Sequence, residues 1–365
     1  MAESITRRTP LYEVHVEERA RMVPFAGWEM PVQYAGILEE SRAVRAAAGL
    51  FDISHMGRVV VSGPDSAAFL DSLTTNDVTG LATARAHYSL LTNPQGGIVD
   101  DIIVYRRGAD EFLVVLNASN AEKDLAWMRA HAPSGISIED QTDRTAMIAV
   151  QGPAAPLIVE NLAEADIIGL ERFAHTDGRV AGAPATVCRT GYTGEDGFEL
   201  IVNAERAADV WRALRVAGAA PCGLGARDAL RIEAGYPLYG HEIDDTTSPV
   251  EAGLMWVVKT DNGDFVGREA ILSLLERGPS RRLVGFLLEE RAVPRTGYPL
   301  HVGADRVGAV TSGVFSPTLC RGIGMAYVDV PHHRTGTRLE LVVRDKRFPA
   351  IVVPKKSLLA NQPCG

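Results

Sequence analysis

The segment Asn93-Pro94-Gln95-Gly96-Gly97-Ile98-Val99-Asp100-Asp101-Ile102-Ile103-Val104-Tyr105 places two adjacent carboxylates inside a run of β-branched residues. Such a run reads as a strand, and aspartate is a poor strand residue. Strand side chains alternate, so Asp100 should share a face with Ile98 and Ile102, and Asp101 the other face with Val99, Ile103 and Tyr105. At least one acid then lies among apolar neighbours, where desolvation raises its proton affinity unless donors or a cation compensate. A carboxyl tuned in this way can exchange a proton near neutrality. The bland alternative is that the acids accept hydrogen bonds from the Gly96-Gly97 turn or sit on an exposed edge.

Two further clusters could carry chemistry. Arg189-Thr190-Gly191-Tyr192-Thr193-Gly194-Glu195-Asp196-Gly197-Phe198-Glu199 has three glycines in seven residues, which permits a tight loop leading into a strand near Phe198. It could hold Tyr192 and Glu199 at a pocket, or simply turn a hairpin. Gly223 to Gly235 reads as a helix in which Leu230 and Ala234 share an apolar stripe. Arg227, Arg231 and Glu233 stand there at salt-bridge spacing. An arginine in the first turn opposes the helix dipole, which suggests that it serves a partner; a solvated salt bridge is the other reading. His55 stands alone and Pro331-His332-His333-Arg334 reads as a polar turn, so no metal site is expected. No nucleophile elbow, P-loop or dinucleotide fingerprint sits at a strand–helix junction, which removes the usual support for hydrolase, kinase and dehydrogenase.

The elements that must position these residues show an internal echo. Arg58 to Pro64 followed by Asp65–Leu73 reads as strand, Gly-Pro turn and helix with polar caps; Ala146 to Pro153 followed by Ala154–Leu162 repeats it. Phe112 to Ala118 leads to a helix with Trp127, and Phe198 to Ala204 to one with Trp211. Two related α+β units follow, at roughly 57–132 and 145–218. A helix at Ile37–Ala48 ends on Gly49, and another is expected over Arg268–Glu276. From Arg281 onward, short apolar stretches separated by Gly, Pro and charged turns suggest a small all-β barrel or jelly roll.

At 365 residues the chain exceeds one simple core, and its net charge of −9 argues against a nucleic-acid footprint. Cys188, Cys222, Cys320 and Cys364 lie far apart with no C-x-x-C pair, so free thiols are expected. No apolar run is long enough for a membrane span or a signal peptide, which makes a cytoplasmic protein the expectation.

Taken together, several of these segments resemble the glycine cleavage system T-protein family, the tetrahydrofolate-dependent aminomethyltransferases. They are Arg21–Trp28, Asp52–Gly57, Gly96–Tyr105, Gly191–Glu199, Gly223–Gly235, Leu238–Asp244 and Val310–Gly313. The resemblance runs from Thr9 to about Val353 and implies an α+β, three-domain, cloverleaf-like fold. The implied division is 1–52 plus 141–252, then 53–140, a 253–280 linker with a helix, and a C-terminal β-barrel over 281–365. It implies that the aminomethyl group on the lipoyl arm of an H protein is split, releasing ammonia and passing the methylene to tetrahydrofolate, with no metal. It implies Asp101 and Arg295 as catalytic residues. Met56, Tyr88, Leu113, Val115, Asn117, Tyr192, Glu199, Arg227 and Trp256 are the implied folate contacts. Val353 to Leu358 departs from the aromatic-bearing segment of the family. A folate-dependent demethylase uses the same fold. A folate-binding, non-transferase relative of iron–sulfur maintenance would carry a cysteine motif where this chain has Arg189-Thr190-Gly191-Tyr192.

Overall fold

A computed structural model describes residues 6–356 and 358–360, and its sheets repeat the sequence echo. The strand Gly57–Ser62 runs into a helix at Ser66–Leu73 and pairs antiparallel with Glu111–Leu116, which feeds the helix Ala121–His131. Likewise Thr145–Gln151 runs into Ala155–Glu160 and pairs antiparallel with Gly197–Asn203, which feeds the helix Ala207–Val216. The first sheet has the strand order Ala86–Thr92, Ile98–Arg106, Glu111–Leu116, Gly57–Ser62, Ser137–Asp140. The second matches its first four positions with His175–Val180, Ala183–Cys188, Gly197–Asn203 and Thr145–Gln151, and then adds Gly49–Asp52 before Ala220–Pro221.

Each sheet buries one face under its own helices. Val59, Val61, Val104, Val114, Leu125 and Met128 form one core, and Ile148, Val150, Leu200, Val210 and Trp211 the other. The remaining faces meet: Val60, Tyr105, Leu113 and Val115 of the first sheet pack with Phe51, Met147, Ala149 and Cys188 of the second. The alternating strand pattern thus yields a shared apolar layer between two sheets.

Residues 281–353 close a six-stranded barrel in the order Arg281–Leu288, Arg321–Asp329, Asp305–Ser316, Pro299–Val302, Arg338–Val343, Lys346–Val353. A small sheet of Arg7–Arg8, Trp28–Gln33 and Arg21–Phe25 was not foreseen. The helix Arg268–Arg277 does more than link, since its Ile271 packs with Leu90, Ile98 and Ile243.

Helix Leu224–Ala234 joins these parts. Ala226 and Leu230 enter the layer between the sheets, while Ile232 packs with Leu283, Ile323 and Met325 of the barrel. Arg231, fully buried, donates to Glu242 at 2.7 Å and to Ser312 Oγ at 2.6 Å; Thr311 Oγ1 donates to the other Glu242 oxygen at 2.5 Å. The Leu238–Asp244 and Val310–Gly313 motifs are therefore largely one buried interdomain network. Glu233 pairs with Arg45 at 2.7 Å rather than with a neighbour on its own helix.

Three local expectations change. The helix at Ser66–Leu73 has no side-chain cap: Asp65 takes a left-handed conformation (φ 64°) rather than the extended one usual for a capping residue; the helix at Ala155–Glu160 also lacks one. Gly49 does not stop a helix: it starts a strand, where a Cβ would stand 2.3 Å from Val44 Cγ2. Cys188 and Cys222 are buried free thiols, but Cys320 is disulfide-bonded, against the free-thiol expectation; Cys364 lies outside the described residues.

Candidate active site

The strand Ile98–Arg106 is the centre of the site, and a β-bulge changes its facing. Leu91 pairs with Asp100 while Thr92 pairs with Ile98, which leaves Val99 as the extra residue. Val99 therefore joins the helix-covered core with Ile102 and Val104, and Ile98 packs with Leu90 in another cluster. Beyond the bulge alternation resumes, so Asp100 faces the helices while Asp101 shares the intersheet side with Ile103 and Tyr105. The turn before the strand is tightly covered: a Cβ on Gly97 would lie 1.8 Å from the Asp245 carbonyl oxygen, which only glycine tolerates.

Asp101 is held from two sides. Tyr88 OH donates to its Oδ2 at 3.0 Å, and Asn117 Nδ2 donates to its Oδ1 at 2.8 Å. Burial, reinforced by the neighbouring Asp100 charge, pushes its pKa up to about 7 despite both hydrogen bonds. Asp101 as a residue is half-buried. The ring of Trp256, 63% exposed, stacks on Tyr88 with centroids 5.7 Å apart and planes 12° off parallel. An acid poised near neutrality, beside an open aromatic surface, can accept or return a proton to a ligand laid against that surface.

The second arm comes from the other sheet and the joining helix. Glu199, buried on the Gly197–Asn203 strand, accepts from Thr190 Oγ1 at 2.5 Å, and Thr190 in turn meets Tyr105 OH at 3.0 Å. Burial raises its proton affinity, partly countered by Thr190 and the Arg227 charge. The Arg227 guanidinium lies 4.7 Å over the Tyr192 ring and makes no salt bridge among the described residues. Tyr192 OH donates to the Pro237 carbonyl, and its ring stacks on Tyr236 at 5.8 Å. The charge of Asp101 acts on both Tyr88 and Tyr192.

Met56, Leu113 and Val115 belong to the intersheet layer. Beside Met56, the buried His55 is kept neutral (pKa near 3) by desolvation, with its ring edge-on to Phe25 at 5.7 Å. Arg58, an arginine among valines with no carboxylate partner among the described residues, donates to the Ser54, Met56 and Thr145 carbonyls and so fixes the loop that carries Met56. Arg295 is not brought into this group: it is exposed in the Glu289–Tyr298 connection of the barrel, and no hydrogen bond or ion pair of the described residues ties it to Asp101. Among the described residues no group of three or more His, Cys, Asp or Glu side chains is arranged for a metal. Among the described residues no helix is long and apolar enough to cross a membrane.

Sequence reasoning missed Thr190, Asn120 and Asp124. The last two follow Asn117 at spacings of three and seven, a polar stripe on the edge of an otherwise apolar helix face, and that stripe was the available signal.

Residues 11–262 match the GCVT N-terminal domain and residues 281–357 the Glycine cleavage T-protein C-terminal barrel domain. The Aminomethyltransferase of Rubrobacter xylanophilus is 50% identical, over 97% of this chain and 95% of its own. That of Geobacillus kaustophilus is 48% identical, over 95% of this chain and 97% of its own. The crystal structure of glycine cleavage system aminomethyltransferase T from Bartonella henselae superposes with a TM-score of 0.90 at 34% identity, over 95% of this chain and 96% of that one. With family models matching residues 11–262 and 281–357 and relatives near 50% identical over almost the whole chain, the chain belongs to the glycine cleavage T-protein family.

Proposed function

We propose that the chain is the aminomethyltransferase of the glycine cleavage system, with a lipoylated H protein and tetrahydrofolate as its partners in the reaction. The aminomethyl carbon leaves sulfur and nitrogen and becomes the bridging methylene of 5,10-methylenetetrahydrofolate. Atoms balance if the two hydrogens lost by the folate nitrogens are those gained by the departing amine and thiolate. Asp101 is suited to carry one of them and to stand as a negative charge beside the cationic carbon–nitrogen centre as it forms.

The observation that carries this reading is the proton-poised Asp101, clamped by Tyr88 and Asn117 on the intersheet side. Among the described residues Arg227 has no ion-pair partner and one Glu199 oxygen is uncommitted, and the two fit a flat ligand bearing an amide–amidine edge. Met56, Leu113, Val115, Tyr192 and Trp256 supply apolar and aromatic cover for such a ring. Arg295, exposed on the barrel, is suited to an anionic tail or partner rather than to proton transfer. The pairing of Gly49–Asp52 with Thr145–Gln151 supports a discontinuous first domain of 1–52 plus 141–252 around the inserted 53–140 sheet, followed by 253–280 and the 281–365 barrel.

Incubation with aminomethylated H protein and tetrahydrofolate should release ammonia. Absence of folate-dependent ammonia would overturn the proposal.

A further inference from the structure

Behind Asp101, on the helix side of the same strand, lies a second carboxyl pair that no reaction step has used. Asp100 is fully buried and accepts three N–H groups: Asn117 N at 3.1 Å, Asn117 Nδ2 at 3.0 Å and Asn120 Nδ2 at 2.6 Å. Two of these fall on Oδ1 and one on Oδ2, which leaves Oδ2 with unused acceptor capacity. Three N–H donors are the surroundings of an ionised carboxylate. Asp124 sits one helical turn beyond Asn120, also fully buried, and neither of its oxygens receives a hydrogen bond from any described N–H or O–H group. An ionised carboxylate with no donor in a dry core is among the costliest arrangements a protein can hold. Asn120, one turn before Asp124, binds Asp100 Oδ1 at 2.6 Å, and the Asp100 carboxylate is the group that acts on Asp124 most strongly after burial. Two carboxylates cannot bond to each other, but a carboxylic acid and a carboxylate can.

We propose that Asp100 and Asp124 share one proton, with Asp124 as a neutral acid donating to Asp100, and that this pair is a positioning device that sets the proton affinity of Asp101. The link to Asp101 is Asn117. Its side-chain nitrogen carries two hydrogens and lies 3.0 Å from Asp100 Oδ1, 2.8 Å from Asp101 Oδ1 and 3.0 Å from the Asp101 carbonyl oxygen. A fixed negative charge on Asp100 keeps the amide turned nitrogen-first towards both acids. The same charge opposes ionisation of Asp101. One proton on Asp124 keeps the charge behind Asp101 at one unit rather than two.

The charged and titratable groups around this assembly do not supply another neutraliser. Asp124 faces Asp100, Asp101 and Lys123. Lys123 Nζ is committed to the Val99 carbonyl at 2.7 Å, Tyr239 OH at 2.8 Å and Asp245 at 3.4 Å. Asp101 faces Tyr88, Tyr192 and Asp100. Burial and the Asp100 charge both act to hold the proton on Asp124.

This inference rests on the reading of Asp101 as the proton carrier, and its principal test does not require turnover. The infrared difference spectrum between the wild type and Asp124→Asn at pH 8 should show the C=O stretch of a buried neutral carboxyl, present in the wild type, lost in the variant and shifted in heavy water. No such band overturns the shared proton. Should Asp124→Asn fail to fold, carboxyl-carbon NMR of the aspartate-labelled wild type gives the same answer. One aspartate signal should stay at the protonated position through pH 8, and its absence refutes the pair. In pH profiles of kcat/KM, Asp100→Asn should move the acid limb down by about one unit or more, since a like charge is removed. Asp124→Asn, which keeps an N–H donor towards Asp100, should leave the limb in place. An unmoved limb in Asp100→Asn overturns the tuning role. Near-normal activity of Asp101→Asn would instead overturn the function assigned to Asp101.

Discussion

Replacing Asp101 by asparagine should separate what this side chain costs the fold from what it does in catalysis. In the folded chain its pKa rises from an ordinary 3.8 to about 7, because burial and the Asp100 charge outweigh the bonds from Tyr88 and Asn117. A shift of three units corresponds to roughly 4 kcal/mol as an upper bound. The half-buried position of Asp101 and the loss of a charge-assisted bond reduce the expected gain to about 1–2 kcal/mol. The sign follows from proton linkage. Below the unfolded pKa both states are protonated and Asp101 costs nothing; as pH rises towards about 7 the unfolded chain ionises first, and wild-type stability falls. The asparagine amide can still accept from Asn117 through oxygen and offer nitrogen to the Tyr88 hydroxyl. Urea denaturation should therefore show Asp101→Asn close to the wild type at pH 4.5 and more stable at pH 8. Activity at pH 8 should fall by about 10²–10⁴ if Asp101 handles the proton. A stability difference that does not change with pH, or a variant that turns over normally, would refute the reasoning.

Tyr88→Phe removes a donor that favours the ionised form of Asp101, so the acid limb of kcat/KM should move upward by about one unit, as for loss of a hydrogen bond to a charged group. A profile unmoved from the wild type would mean that the contact carries no weight. Glu242→Ala leaves the buried Arg231 guanidinium with only the half-exposed Asp228 as a charge partner and should cost about 2–4 kcal/mol, read as a lower urea midpoint. Gly97→Ala forces a methyl onto the Asp245 carbonyl, so the 238–247 loop must shift; amide exchange there should quicken while the barrel stays protected.

The sequence was most legible where a periodic pattern met a turn. The repeated strand, Gly-Pro turn and helix predicted both α+β units, since each piece is set by local periodicity and by glycine and proline. The alternation argument sent Asp101 to the right face. It misassigned Ile98 and Val99, because a bulge is set by cross-strand register that no local pattern encodes. The Leu238–Asp244 and Val310–Gly313 segments carried only the family resemblance in the sequence; their role as a joint appears in the fold, where docking of the barrel brings Thr311 and Ser312 onto the Glu242–Arg231 pair.

Taken alone, the amino-acid sequence determined the elements, the two-unit plan with its barrel, and the family, because these depend on short-range periodicity and on motifs read in order. The tertiary structure alone decided which carboxylates meet. It placed Asp100 under the helix with Asn120 and Asp124, and Asp101 between the sheets with Tyr88 and Asn117. Proton affinity depends on the charges, donors and water within a few ångströms of a group, and those neighbours come from strands and helices that only folding brings together.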